Sequence, residues 1–333
     1  VEQTASVLIL GGYGQAGSDT AALLRRRHPD LPLTIAGRDG ERARRVSDAL
    51  GGATSVVIDL DREDLGLPAG QRFSAVVAML WDRRMNGLRY AQDHGLPYLS
   101  ISSGLVDIGP EVVAGAQRAT ASPILVASHW AAGLVTLAAM DATRAFGQVD
   151  AIRVGAILDE TDSGGPAAHA DLERWAKAAP AGLVRRDGVF TWVTGSDMET
   201  TVRTADGADQ PAQNIAILDV TSIALATGAP NVSFAFTVGE SAGRRGGGPA
   251  SVEVRIDLDG VTAAGIPLAT TRTFIHAAGQ RPITALGIAL GVERLLGLRG
   301  EPVAPGIHTP ESLLDPSYVV EQMKEIGTTF IDA

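Results

Sequence analysis

The chain contains no cysteine in 333 residues. Disulfides, thiolate nucleophiles and iron–sulfur ligation are thereby excluded. Aromatic residues are scarce, at 5%, so the core must be filled by Ala, Val, Leu and Ile. A basic excess is also missing. The formal net charge is -10, and no Lys/Arg stripe offers the counterion release on which nucleic-acid binding rests. The one basic run, Arg25-Arg26-Arg27-His28, closes a predicted helix, where cations favour the negative end of the macrodipole. No apolar run approaches the roughly 18 residues needed to span a membrane. The stretch Val7 to Leu10 is too short for a secretory signal. A soluble cytoplasmic chain is expected, without membrane or nucleic-acid partners, and Asn231-Val232-Ser233 is not read as a glycosylation site. What is present is apolar: 45% hydrophobic against 20% charged residues supports a large core and excludes extensive disorder. The length suits two domains.

The first third alternates short apolar strands with helices. Strands are predicted at 7–10, 33–36, 55–58, 75–80, 98–101 and 124–127, and helices through Arg27, over 41–50 and over 86–94. This alternation implies a parallel sheet covered on both faces. Near residue 148 the pattern changes. In Ser251 to Asp259, Val252, Val254, Ile256 and Leu258 alternate with Glu253, Arg255, Asp257 and Asp259, the signature of a half-solvated antiparallel strand. The stretches 151–158, 232–238 and 268–276 read similarly, 239–250 reads as a glycine-rich loop, and helices are predicted over 283–296 and 318–326. The expected fold class is α/β. An N-terminal doubly wound parallel sheet (1–147, completed by 282–333) is joined by a second α+β domain with a mostly antiparallel sheet (148–281), whose role is substrate binding or dimerisation.

Gly12-Tyr13-Gly14-Gln15-Ala16-Gly17 fits G-x-G-x-x-G, directly after an apolar strand and at the opening of a helix. That is the context of a Rossmann dinucleotide site: tight turn at Gly12, backbone approach to a diphosphate at Gly14, close helix–strand packing at Gly17. The anion would sit on unpaired amides at the helix start. The second strand ends in Ala36-Gly37-Arg38-Asp39. A guanidinium at Arg38 suits the 2′-phosphate of NADP and stacks on adenine, while Asp39 keeps NAD open. Asp59-Leu60 after the third strand, Leu80-Trp81 after the fourth and Ser102-Ser103 after the fifth stand at carboxyl ends, where such sheets bind ligands. Asp59 reads equally well as a cap of the next helix.

Other motifs fail. No tyrosine has a lysine four residues on, and no Walker A or His-Glu-x-x-His pattern occurs; no metal is expected. Gly239-Glu240-Ser241-Ala242-Gly243 matches G-x-S-x-G, but a nucleophile elbow needs a following helix, which Arg244 to Pro249 is not expected to form.

With the glycine turn, Ala36-Gly37-Arg38, and the tail Gly306-Ile307-His308-Thr309-Pro310-Glu311 followed by Asp315-Pro316, the chain resembles the saccharopine dehydrogenase-like family at both ends. The resemblance implies an NAD(P)-binding Rossmann domain, a substrate sheet and reduction or formation of a C=N bond. One departure lies after the sixth strand. Where the family often carries a Gly-Phe-Asp-Pro-Gly-type turn, this chain reads Ala127-Ser128-His129-Trp130-Ala131-Ala132-Gly133, so the family's amino-acid substrate is not carried over.

Hydride transfer needs orientation and a group that protonates the reduced carbonyl or imine. His129, at the carboxyl end of a predicted strand, is the first candidate, since histidine titrates near neutral pH; the alternative is a hydrogen-bonded histidine packed beside Trp130. Asp82 and His169 are weaker candidates. Arg272 and His276 share a strand face by period two and read as solvated, with carboxylate binding as the alternative. Trp175 and Trp192 read as core. The expectation is an NADP-preferring oxidoreductase acting on a C=N or C=O bond of a small-molecule substrate. An enoyl reductase and a non-catalytic NAD(P) sensor are the rivals, and the long antiparallel strands could pair across a homodimer.

Overall fold

The computed structural model describes residues 5–102, 104–162, 164–178 and 180–333. These form two compact units. The first comprises 1–128, 164–171 and 284–314, and the second 129–163, 172–283 and 315–333.

In chain order the first stretch contains β1 (Ser6–Leu10), α1 (Gln15–Arg27), β2 (Leu33–Gly37), α2 (Gly40–Leu50), β3 (Ala53–Val57), β4 (Phe73–Ala78), α3 (Asn86–Asp93), β5 (Tyr98–Ser100), α4 (Ile108–Gln117) and β6 (Pro123–Val126). There follow α5 (Leu134–Ala142), β7 (Gln148–Asp159), α6 (Pro166–Ala178), β8 (Gly182–Arg186), β9 (Val189–Val193), β10 (Glu199–Arg203), β11 (Asp209–Asn214), α7 (Leu218–Thr227) and β12 (Asn231–Gly239). The remainder is α8 (Ala242–Arg245), β13 (Val252–Val261), β14 (Pro267–His276), α9 (Gln280–Leu295), β15 (Gly306–His308), α10 (Pro310–Leu313), α11 (Pro316–Glu325) and β16 (Thr329–Asp332).

The first unit holds a seven-stranded parallel sheet of order β15-β6-β5-β4-β1-β2-β3. Strand order reverses between β1 and β4, which creates the crevice where open α/β sheets bind ligands. The strands are short and fully apolar because both faces are covered; Val7, Leu8, Ile9 and Leu10 are all buried. The basic end of α1 is tied down as its composition implied. His28 and Arg27 both pair with the buried Glu293 of α9.

The second sheet runs β10-β11-β12-β7-β13-β14-β16, with the hairpin β8–β9 attached to β12. It is mostly antiparallel, with one parallel pair, β7 and β12. The tail is shared between the sheets: β15 pairs with β6 and β16 with β14. The alternating β13 is not half-solvated throughout. Glu253 is buried and accepts backbone N–H groups from Ala205 and Ala242. Arg272 and His276 are not solvated either. Arg272 pairs with Asp141 and Asp332, and the buried His276 meets Thr328 Oγ1 at 3.1 Å. Trp192, read as core, is 55% exposed on the outer hairpin. Asn231 lies in β12, where its side chain bonds Asp187 N and Asp150 O.

The stretch 239–250 is not a plain loop. Ser241 caps the short α8, accepting from Arg244 N and Ser251 N. Its own N–H donates to Asp159, whose side chain is fully enclosed and also receives Thr161 and the Arg244 guanidinium. Burial alone would push the Asp159 carboxyl up; the hydroxyls and amides of Ser241 and Thr161 outweigh it and hold it well below the usual carboxylate range. Because the folded value is depressed, this stabilisation is fully present above the unfolded carboxylate value near pH ~4 and is lost as pH falls through the folded value. Asp159→Asn should therefore cost about 3 kcal/mol at neutral pH, the range for a buried pair that loses one charge, and should flatten the acid limb of the Tm–pH curve. An unchanged acid limb would remove Asp159 from this role.

Candidate functional site

The turn between β1 and α1 owes its shape to missing side chains. A Cβ at Gly12 would lie 2.9 Å from Ile9 O, and one at Gly17 would lie 2.6 Å from Gly11 O. Both glycines are required by packing inside the chain. Gly14 differs: its φ is -68°, and a Cβ there would meet only Gly11 O at 3.2 Å. The first intrahelical bond of α1 runs from Ser18 N to Gly14 O, and no side chain caps the helix. The amides of Gln15, Ala16 and Gly17 thus precede the helical ladder without intrahelical partners. The first turn of α1 carries no acidic residue. These amides and the positive end of the helix dipole fit a diphosphate.

Around this turn the neighbouring strand ends assemble. Leu80, past β4, packs on Gly11, where a Cβ would lie 2.9 Å from its Cδ2. Trp81 is 41% exposed beside it. The Tyr13 ring packs against the end of β2, so close that a Cβ at Gly37 would be 2.0 Å from Tyr13 Cε1. The Arg42 guanidinium stands 4.7 Å over that ring. Arg38 is exposed and makes no hydrogen bond or ion pair among the described residues. Asp39 is committed to α2, accepting from Glu41 N and Arg42 N at 3.1 and 3.0 Å. Asp59 is exposed and closes a turn by accepting from Asp61 N; no helix follows it. The carbonyl of Leu60 is held by buried Asn86 at 2.8 Å. Ser102 is buried after β5; Ser103 lies outside the described residues.

Sequence reading missed Arg42 and Asn86. Arg42 lies in the first turn of α2, while Arg38 stands before the Asp39 cap, so no helical spacing in the sequence links the two.

Asp82 holds the start of α3, with Oδ2 accepting from Gly87 N at 2.6 Å. Burial pushes its carboxyl up against the pull of four backbone amides.

In the second unit, His129 is 6% exposed. Its Nε2 meets Ser222 Oγ at 2.8 Å, and its Nδ1 has no partner. Trp130 packs against Phe234 and Phe236. Asp219, fully buried on α7, accepts from Trp130 N and Thr136 Oγ1 at 2.8 and 2.7 Å. Burial pushes its carboxyl up, and the nearby His129 pulls it back. Ala131 and Ala132 are left-handed, with φ of 49° and 54°. Nothing in the sequence pattern marks Asp219 or Ser222, which lie about 90 positions from His129. A separate depression of about 230 Å³ in this unit is lined by Asp141, Arg144, Arg272 and Lys324 among others. Among the described residues no group of three or more His, Asp or Glu could hold a metal ion. No helix among them is long and apolar enough to cross a membrane.

No protein-family model and no curated protein matches the chain. Solved structures do. Saccharopine dehydrogenase (L-Glu forming) from Saccharomyces cerevisiae superposes with a TM-score of 0.69 at 11% identity, over 99% of this chain and all of that one. An oxidoreductase from Agrobacterium radiobacter, solved with NAD+, L-tartaric acid and magnesium, gives 0.50 at 12% identity, over 98% of each chain. At such identities the likeness establishes the fold alone: a Rossmann sheet and a second, mixed sheet.

The two glycines that differ in surroundings should differ in effect. Gly17→Ala is expected to lower stability by about 1–3 kcal/mol through overpacking, whereas Gly14→Ala should melt with the parent. Thermal unfolding followed by circular dichroism decides it; an unchanged Tm for Gly17→Ala would contradict the packing described.

Proposed function

We propose that the chain is an oxidoreductase that moves hydride between a nicotinamide dinucleotide, NADP in preference to NAD, and a C=N or C=O bond of a small metabolite. The observation that carries this reading is the uncapped, glycine-lined start of α1 at the point where strand order reverses. The fold shared with saccharopine dehydrogenase supports it.

When bound, the dinucleotide supplies or accepts the hydride. The residues of this chain do the rest. The amides of Gln15, Ala16 and Gly17 would bind the diphosphate, and Gly14 would let it approach. Tyr13 is held by Gly37 and Arg42 into a flat wall beside Arg38. Arg38 and Arg42, neither paired with an acid among the described residues, suit a 2′-phosphate. The carboxylate that would otherwise take a ribose hydroxyl, Asp39, is occupied in capping α2. Asp59, Leu60, Leu80, Trp81 and Ser102 would border the nucleoside ends. His129 is our choice of proton donor. It follows β6 by three residues, and all strands of a parallel sheet end at one edge.

Fluorescence titration with NADPH and NADH, then turnover on cyclic imines, ketones and enoyl thioesters, tests the reading. Binding without turnover would indicate a sensor; turnover of enoyl thioesters alone would indicate an enoyl reductase. Arg38→Ala should raise the Kd for NADPH roughly tenfold or more, the worth of one hydrogen bond to a charged group, and leave NADH nearly unchanged. Equal losses would refute the phosphate role. His129→Asn should lower kcat by about a hundredfold or more, as loss of a general acid does, with cofactor affinity unchanged. Undiminished kcat would remove His129 from the mechanism.

A further inference from the structure

We propose that Asp219 and Ser222 are positioning residues that hold His129 with one working atom, Nδ1, free for the substrate. The inference rests on reading His129 as the proton donor.

Asp219 and Ser222 stand three residues apart on α7, on one face. Ser222 fixes the imidazole through Nε2, and Asp219 fixes the backbone immediately after it through Trp130 N. That backbone resists its own conformation. Two consecutive alanines are left-handed, each costing roughly 1–2 kcal/mol, before Gly133 turns the chain into α5. Thr136, one turn into α5, closes the anchor on the second oxygen of Asp219. Every polar atom of His129, Ser222, Asp219 and Thr136 side chains is thereby matched except Nδ1. A buried ring nitrogen without a partner is costly, and a substrate oxygen or nitrogen would relieve that cost.

The carboxylate itself points the same way. An asparagine could accept from Trp130 N and donate to the Thr136 hydroxyl, which also accepts. Burying a full charge costs several kcal/mol more than burying an amide unless a cation stands near. His129 is the titratable side chain whose charge acts on Asp219. In the reduction, the imidazolium Nδ1–H bond breaks and its proton forms a bond to the carbonyl oxygen or imine nitrogen. The adjoining carbon takes the hydride and its electron pair from the reduced nicotinamide. His129 is left neutral, with Nε2–H still donated to Ser222 Oγ.

The test uses Asp219→Asn, Ser222→Ala and Ser222→Thr in the full chain, each checked for cooperative melting. In ligand-free protein labelled with ¹⁵N-histidine, Ser222→Ala should move the His129 ring-nitrogen resonances and Ser222→Thr should restore them. Asp219→Asn should move them without disturbing the remaining five histidines. With NADPH and whichever imine or ketone of the panel the parent reduces, Asp219→Asn should lower kcat at least tenfold while the KM for NADPH stays put. Resonances unmoved in both Asp219→Asn and Ser222→Ala overturn the inference. Failure of the donor reading shows separately, as full turnover by His129→Asn.

Discussion

Backbone packed on backbone at the start of α1 is the constraint from which the rest follows. Gly17 brings the helix within reach of Gly11 and Gly12, so α1 leaves the end of β1 with its first amides facing outward. Among the described residues no side chain caps them. The position of the turn then matters as much as its shape. β1 lies next to β4, the central strand of the seven, at the point where strand order reverses. Leu80 closes the turn from that side, and Tyr13 reaches the end of β2 on the other. Uncapped amides, an apolar floor and a cationic rim thus meet around one turn.

The rim illustrates how a polar preference can be built without a dedicated loop. Tyr13 needs a flat backbone to lie on, hence Gly37, and it offers its outer face to Arg42. Asp39, the acid adjacent to Arg38 in sequence, accepts from the amides of α2. The capping bond therefore does two things. It starts the helix, a contribution of about 1 kcal/mol for a typical cap, and it leaves Arg38 and Arg42 without an acidic partner among the described residues.

The parallel unit was readable in the sequence because its signals are local. Short apolar strands, a glycine turn and helix stops such as Gly51-Gly52 fall where the structure has them, within about two residues, the usual uncertainty of element ends. α4 escaped, its glycines and proline masking the period. β10 and β11 escaped for a different reason. Glu-Thr-Thr-Val-Arg and Asp-Gln-Pro-Ala-Gln-Asn bury one residue each; they are strands through pairing, with Val202 and Ala212 joining Ile157 and Ala235 in a small core. The packing roles of Gly12 and Gly17 in the turn were legible. The surroundings of His129 were not, since Ser222 and Asp219 meet it only through tertiary folding, on a helix whose own pattern is simply apolar.

Two expenses fall together after β6. Left-handed alanines and a fully buried carboxylate are each tolerated rarely, and their meeting at one turn, through the bond from Trp130 N to Asp219, is informative. Either could be relieved by a simple substitution, glycine at 131 or 132, asparagine at 219. Strain that is held in place by surrounding structure gathers at working sites because those sites need a geometry the chain would not choose alone. Asp219 binds the strained turn at Trp130 N and α5 at Thr136, so the charge and the strain are one device. The conformation of the turn sets the ring of His129, and the buried carboxylate makes that conformation hold.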